Sequence, residues 1–320
     1  MTIPLIAIVS FVAALVVTPA MIVVAKRTGI VDRPGELKQQ EAPIPYLGGV
    51  AVFAGTAVGA LSGRPTVLIP LAAALLLGVT DDRFDLAPWV RLVGEVGVGA
   101  MVVATSPVGF GGPLAALLLV LVTVLLINGV NLLDGLDMLA GGVGAVAALS
   151  FALLLVGPGR QLAAALGPAL LAFLVFNRPP AQVYLGDGGA YLLGTALAIL
   201  LGEAWAPHLS LELGLAALSL VALPAAELTF AVIRRLRGRT SLMAGDRRHP
   251  YDRLVTRGWT RSRASLAYIG IEAVLGLGAV AVARHLGLGP IIAFDLLVAV
   301  LLVVLATSTG AISPDQGATA

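Results

Sequence analysis

The chain contains no cysteine. That excludes a disulfide framework, a thiolate nucleophile and a sulfur-ligated metal centre. Charge is scarce as well. Asp, Glu, Lys and Arg make up 12% of the 320 residues, against roughly 25% in soluble domains. The formal net charge is only +2, so the overall balance selects no partner and its placement along the chain carries the information. No internal repeat and no soluble domain stands out. The first apolar run lacks a small-residue cleavage site followed by a polar mature region, so it reads as a retained helix rather than a signal peptide.

What is present is hydrophobicity. Apolar residues make up 58% of the chain and mean hydropathy is +0.99. Repeated apolar runs approach the roughly 20 residues that cross a bilayer as helix. The expected fold is all-α, a polytopic transmembrane bundle of about eleven spans. They fall at roughly 3–25, 46–62, 65–80, 92–106, 113–128, 139–157, 161–176, 189–202, 210–233, 265–284 and 286–308. Residues 1–308 read as a single integral membrane domain. The small, polar tail from Thr309 to Ala320 reads as disordered.

Loop charge orients the bundle. The loop after the ninth span holds Arg234, Arg235, Arg237, Arg239, Arg247, Arg248, Arg253, Arg257, Arg261 and Arg263, opposed only by Asp246 and Asp252. The loop after the first span holds Lys26, Arg27, Arg33 and Lys38. The positive-inside rule then puts odd-numbered loops in the cytoplasm and the N-terminus outside. The polar motifs all follow odd-numbered spans, so they share the arginine-bearing face. Acids held at the edge of lipid are costly unless something pairs with them.

Asp81-Asp82 closes the third span, followed by Asp85 and Arg91. Neighbours in sequence do not share a helix face, so the two carboxylates should meet different partners. Carboxylates at a helix C-terminus oppose the macrodipole, which favours a task over a plain solvated helix end. The segment Asn128-x-x-Asn131-x-x-Asp134-Gly135-x-Asp137 spaces its polar residues three apart, one stripe on a helix. Such a stripe suits a base edge, a ribose or a metal-bound water; an Asx-turn cluster is the plainer alternative. Tyr184-Leu-Gly186-Asp187-Gly188-Gly189 puts one acid among glycines before a span. A helix N-terminus there favours phosphate, and the carboxylate suits magnesium, which takes one or two carboxylates plus substrate phosphates. A turn with an Asp N-cap is the plainer alternative. The arginines could simply set topology against anionic lipid. His249, beside Arg247 and Arg248, is less easily explained that way; the other histidines, His208 and His285, lie near the opposite face.

Taken together, these motifs resemble the polyprenyl-phosphate N-acetylhexosamine-1-phosphate transferases, on the WecA- and TagO-like side of glycosyltransferase family 4, with MraY-type members more distant. The resemblance covers approximately residues 26–263. It runs through Asp32-x-Pro34, Lys38, Pro43-x-Pro45 and Gly48-Gly49, then Asp81-Asp82, Leu86, Arg91 and Leu92. It continues through Asn128 to Asp137 with Leu139-Ala140, then Asn177-x-x-Pro180-Ala181 and Tyr184-x-Gly186-Asp187. It ends with Pro224, Arg235, Gly238, Asp246-Arg247-x-His249 and Arg253-Leu254.

The resemblance implies that a UDP-amino sugar gives its sugar-1-phosphate to undecaprenyl or decaprenyl phosphate, releasing UMP, as the first membrane step of cell-envelope glycan synthesis. It implies Mg2+ or Mn2+, a plasma (inner) membrane location and no nucleic-acid partner, and leaves homodimerisation open. By the same resemblance Asp187 is the metal ligand. Asp81 and Asp82 position or deprotonate the lipid phosphate, or assist the metal. Asn131 and Asp134 line the site. Asp137 and Tyr184 lie near the uracil, and His249 with its arginines lies beside the diphosphate. Lys38 and Asn128 join the substrate-binding set. Direct attack by the lipid phosphate is preferred to an aspartyl-phosphate intermediate.

Departures from the family pattern sit mainly in the histidine loop. His249-Pro250-Tyr251-Asp252 stands where His-x-His-His is usual, which also argues against an MraY-type enzyme. Tyr251 and Asp252 are therefore candidates to read the sugar. N-acetylglucosamine is the default donor sugar, a 6-deoxy or otherwise modified amino sugar the alternative. Met138, Leu37 and Gln39-Gln40 replace a usual Gly, Arg and His, and Glu227 replaces an Asp. Two other readings compete: a secondary transporter using Glu95, Glu227, Glu272 and Asp295, and a non-catalytic nucleotide-binding relative. A transporter site should lie at midplane on interrupted helices, whereas the acids here gather at one edge.

Overall fold

The computed structural model describes residues 1–33, 42–106, 112–206, 209–242 and 247–313. Lys38 and Asp246 lie outside the described residues. So does the part of the tail from 314 onward.

Helices carry the fold. They are α1 (Ile3–Thr28), α2 (Gly48–Gly63), α3 (Leu68–Phe84), α4 (Pro88–Thr105), α5 (Pro113–Leu133), α6 (Leu139–Leu154) and α7 (Gly157–Asn177). Then follow α8 (Gly186–Ala204), α9 (Leu211–Ser219), α10 (Ala222–Arg237), α11 (Pro250–Thr256), α12 (Arg261–His285) and α13 (Leu288–Thr309). A two-residue antiparallel pair, β1 (Val31–Asp32) and β2 (Ile44–Pro45), closes the first loop. Proline at the first or second position opens α1, α4, α5, α7 and α11, where its missing N–H costs nothing.

Helices α1, α4, α5, α7, α12 and α13 are each long and apolar enough to cross a membrane, and the α9–α10 pair makes a seventh such unit if counted as one span. The chain is a multi-pass membrane protein. Along α13 the side chains of Leu296, Leu297, Val300, Leu301, Val303 and Val304 are exposed, as lipid-facing positions are. The predicted spans map in order onto α1 to α8, the α9–α10 pair, α12 and α13. Two details differ. The ninth segment is bent by 57° between α9 and α10, because Pro224 cannot donate to the carbonyl four residues earlier and its ring clashes there. The arginine-rich loop contains a further short helix, α11.

Helix α8 is the axis of the bundle: every residue except Asp187 and Glu203 is buried. Small residues permit that. A Cβ on Gly194 would lie 2.6 Å from Ile127 Cα on α5, and one on Gly78 of α3 would lie 2.3 Å from the Asp187 carbonyl. Close backbone approach of this kind is how helices associate where lipid offers no hydrophobic drive.

The loops after α1, α3, α5, α7 and α10 meet at one end, as the placement of the motifs predicts. The Tyr184 amide donates to the Pro45 carbonyl at 2.8 Å, and the Met138 amide to Asn177 Oδ1 at 2.8 Å. Tyr251 donates its hydroxyl to the Leu132 carbonyl at 2.6 Å. The described start of the tail packs at this end too. Ala311 is buried, its carbonyl takes Arg234 at 2.5 Å, and Arg257 donates to the carbonyls of Ser308 and Thr309 at 2.9 and 3.1 Å.

Candidate active site

The acid pair behaves as its spacing predicts: Asp81 and Asp82 turn to different partners. Asp81 is buried. It accepts from the Leu86 amide at 2.9 Å, from Arg91 at 3.2 Å and from the Tyr191 hydroxyl at 2.8 Å. Asp82 instead accepts from the backbone amides of Asp187 and Gly188, at 3.0 and 3.1 Å. It thus satisfies two of the orphan N–H groups at the start of α8 from a different helix. Asp187 is thereby held at the head of α8. The positive φ of Gly186, +73°, turns the chain into that helix, a conformation that favours glycine.

Asp187 is the meeting point. Its Oδ1 accepts from Asn131 Nδ2 at 2.6 Å, and its carboxyl also contacts that of Asp81. Burial first, then the charge of Asp81, raise the proton affinity of Asp187. Burial, then Asp187, do the same for Asp82. Asp134, part-buried just beyond the end of α5, is pushed well up by burial and then by Asp187 and Asp82. Such crowding of carboxyls calls for shared protons or a cation.

A polar cavity of about 250 Å³ opens beside them, lined by Asn131, Asp134, Asp137, Tyr184, Asp187 and Arg247, together with Asp32, Tyr46, Asn177, Arg261 and the 135–136 turn. Tyr184 and Tyr46 face one another with ring centroids 6.3 Å apart. Burial raises the Tyr184 hydroxyl to about 12, so it stays a neutral aromatic surface at physiological pH. Asp137 accepts from the Ala181 amide at 3.1 Å. A second cavity, about 300 Å³, has a mixed wall: Leu92, Leu132, Leu228 and Leu242 with Arg91, Arg235, Asn128 and Asn131. Asn128 itself is occupied, donating to Glu95 at 2.5 Å and to the Val124 carbonyl at 2.9 Å. A third recess joins Asp81, Asp82, Asp85, Arg91 and Asp187. Asn131 borders the first two cavities, and Asp187 the first and third.

The histidine loop borders the first cavity through Arg247, with His249 packed behind it. His249 is buried. Its Nδ1 lies 2.8 Å from Glu227 Oε2, and its ring stacks on Tyr251 at 5.3 Å and 7°. Tyr251 is only 3% exposed, so its side chain packs between α5 and α12 rather than facing the cavity. Asp252 accepts from the His249 amide at 3.3 Å, a helix cap. Among the described residues 247–252, Arg247 lines the first cavity; Arg248, partly buried, does not.

Several cavity residues escaped sequence reasoning as site residues: Asp32, Tyr46, Asn177 and Arg261, and Tyr191 and Glu227 behind the site. Asp32 and Asn177 lie inside the motifs already noted, so the signal was present for them. Tyr191, one helical turn beyond Asp187, could have been found from that spacing.

A divalent cation fits this chemistry in one respect. The contact between the Asp81 and Asp187 carboxyls is one that a hard cation would relieve. Among the described residues no three His, Cys, Asp or Glu side chains form a complete cage.

Residues 65–203 match the family model described as glycosyl transferase family 4. The chain is 28% identical over 296 residues to a Bacillus subtilis protein named probable undecaprenyl-phosphate N-acetylglucosaminyl 1-phosphate transferase, covering 85% of this chain and 83% of that one. It is 28% identical to a decaprenyl-phosphate N-acetylglucosaminephosphotransferase of Mycobacterium tuberculosis, covering 78% and 75%. It is 29% identical to an undecaprenyl-phosphate alpha-N-acetylglucosaminyl 1-phosphate transferase of Salmonella typhi, covering 82% and 79%.

Proposed function

We propose that this chain, a member of glycosyl transferase family 4, transfers N-acetylglucosamine-1-phosphate from UDP-N-acetylglucosamine to a polyprenyl phosphate and releases UMP. The relatives' names, which speak of undecaprenyl or decaprenyl phosphate and of N-acetylglucosamine phosphate transfer, support this choice of acceptor and sugar. The observation that carries the reading is the position of Asn131, bonded to Asp187 on the wall between a polar cavity and a half-apolar one. A nucleotide-sugar suits the first, with Tyr184 and Tyr46 as the aromatic surface for the base and Arg247 for phosphate. A lipid phosphate suits the second, its chain against the leucines and its headgroup beside Arg91 and Arg235.

The lipid phosphate oxygen attacks the phosphorus nearer the sugar. The bond from that phosphorus to the bridging oxygen breaks, and UMP leaves with the electron pair. No base is needed, since the acceptor is already an anion. Arg91, oriented by Asp81, and Arg247 offset the approach of two anions, and positioning supplies most of the catalysis. Asp187 would hold a magnesium or manganese ion, with Asp81 beside it. Bound there, the metal would neutralise charge on the phosphates. Asp82 keeps Asp187 in place through the α8 amides. The site faces the cytoplasm of the plasma membrane in this reading.

The test is incubation of purified protein with polyprenyl phosphate, magnesium and a panel of UDP-sugars, reading UMP and lipid product by mass spectrometry. UDP-N-acetylglucosamine is expected to be the best donor. No UMP from any donor would overturn the reading.

A further inference from the structure

We infer that Glu227 is a positioning residue for the transfer: it holds His249 in one tautomer and ties the lipid-side helix α10 to the loop that delivers Arg247. The inference rests on the proposed function for its kinetic part only.

Glu227 is 1% exposed, deep in the bundle. Both of its oxygens are used. Oε2 meets His249 Nδ1 at 2.8 Å, and Oε1 accepts from the Tyr268 hydroxyl at 2.9 Å. We infer that the carboxyl accepts here and that the ring hydrogen sits on Nδ1, facing it. That fixes which ring nitrogen faces Glu227 and which faces away from it. The stacked Tyr251 ring stops the imidazole from turning, and Tyr251 is itself pinned through its hydroxyl to the Leu132 carbonyl of α5. Behind Tyr251 lies the functional stripe: a Cβ on Gly135 would come within 2.3 Å of the Tyr251 hydroxyl. One carboxylate therefore gathers α10, the start of α11 and α12, and through two rings it reaches α5.

The next residue along α10, Leu228, lines the half-apolar cavity together with Arg235. Arg247, two residues before His249, lines the polar one. Glu227 is next in sequence to Leu228 and bonded to the His249 segment that carries Arg247. Holding a carboxylate at this depth is costly, and a packed apolar pair would serve stability as well. A requirement for geometry explains why an acid stands here.

Glu227→Ala could simply unfold the protein, so the test uses Glu227→Gln, which keeps the size and one acceptor. The first readout is the nitrogen chemical shift of His249 in a protein carrying His208→Gln and His285→Gln, which leaves a single histidine. The hydrogen is expected on Nδ1 in that background, and Glu227→Gln is expected to abolish the preference. The second readout is kinetic. Glu227→Gln should lower turnover by about 10- to 100-fold, taking as the scale what loss of the partner behind a metal-bound histidine costs. The Michaelis constant for the UDP-sugar should stay within about twofold. The double variant Glu227→Gln/His249→Ala should lose no more than His249→Ala alone, because Glu227 acts through the histidine. Unchanged turnover in Glu227→Gln, losses that add in the double variant, or an unaltered nitrogen shift would each overturn the inference. If the parent protein itself releases no UMP, the functional reading fails, and the nitrogen shift still decides whether Glu227 sets the tautomer.

Discussion

The carboxylate of Asp82 reaches from α3 to the head of α8 and accepts the amide of Asp187 itself, at 3.0 Å. Two acids of the same site thus do different work, one holding the backbone that the other stands on. Asp82→Asn keeps a single acceptor oxygen for two amides, so the protein should lose about 1–2 kcal/mol of stability, the scale of a helix cap, as well as activity. Asp187→Asn should keep its stability and lose nearly all turnover. Thermal unfolding in detergent, run beside a UMP assay, separates the two. Equal melting of Asp82→Asn and the parent protein would refute the capping role.

Close approach of α3 to α8 makes Gly78 a sensitive position. A methyl group there would meet the Asp187 carbonyl at 2.3 Å, and α8 has no room to retreat. Gly78→Ala should cost about 1–3 kcal/mol and reduce turnover by moving Asp187. Gly97→Ala is the control: no atom lies within 4 Å of its added carbon, so activity should hold. Comparable activity loss in both variants would point to a general intolerance of α3 and α4 rather than to this contact.

For Tyr184, stacking on a base is worth about 1–3 kcal/mol. Tyr184→Ala should therefore raise the apparent Michaelis constant for the UDP-sugar and leave that for the lipid nearly unchanged. Steady-state kinetics with each substrate varied in turn decides it. An equal effect on both would count against a base platform.

The absence of cysteine makes topology directly measurable, since single cysteines need no cleared background. Cysteines at the exposed positions Arg178 and Arg239 should react with an impermeant maleimide only from the cytoplasmic side. One at Thr66, exposed in the turn between α2 and α3, should react only from outside. Labelling of Thr66 and Arg178 variants from the same side would reverse the assignment.

Much of this was legible in the sequence. The order of apolar segments survives in the helices, and the loops bearing Asp82, Asn131, Asp187 and Arg247 do converge. Adjacency alone foretold that Asp81 and Asp82 would diverge. Other features were hidden for physical reasons. Lipid and protein interior are equally apolar, so hydropathy does not mark α8 as buried and α13 as exposed; only the glycines and alanines of α8 hint at it. Pro224 was visible, but the hydropathy of its surroundings concealed the bend it causes. The bond from Asp82 to the α8 amides joins residues over a hundred positions apart. The enclosure of His249 depends on Glu227, Tyr251 and Tyr268 arriving from three helices, a convergence that no local pattern records.

The central claim is that a phosphate travels with the sugar. A UDP-N-acetylglucosamine isotopically labelled at the phosphorus next to the sugar tests it directly, with polyprenyl phosphate and magnesium in one reaction. The label is expected in a lipid-linked diphosphate, and the released nucleotide is expected to be unlabelled UMP. Release of labelled UDP, with the sugar joined to the lipid through the lipid's own phosphate alone, would contradict it.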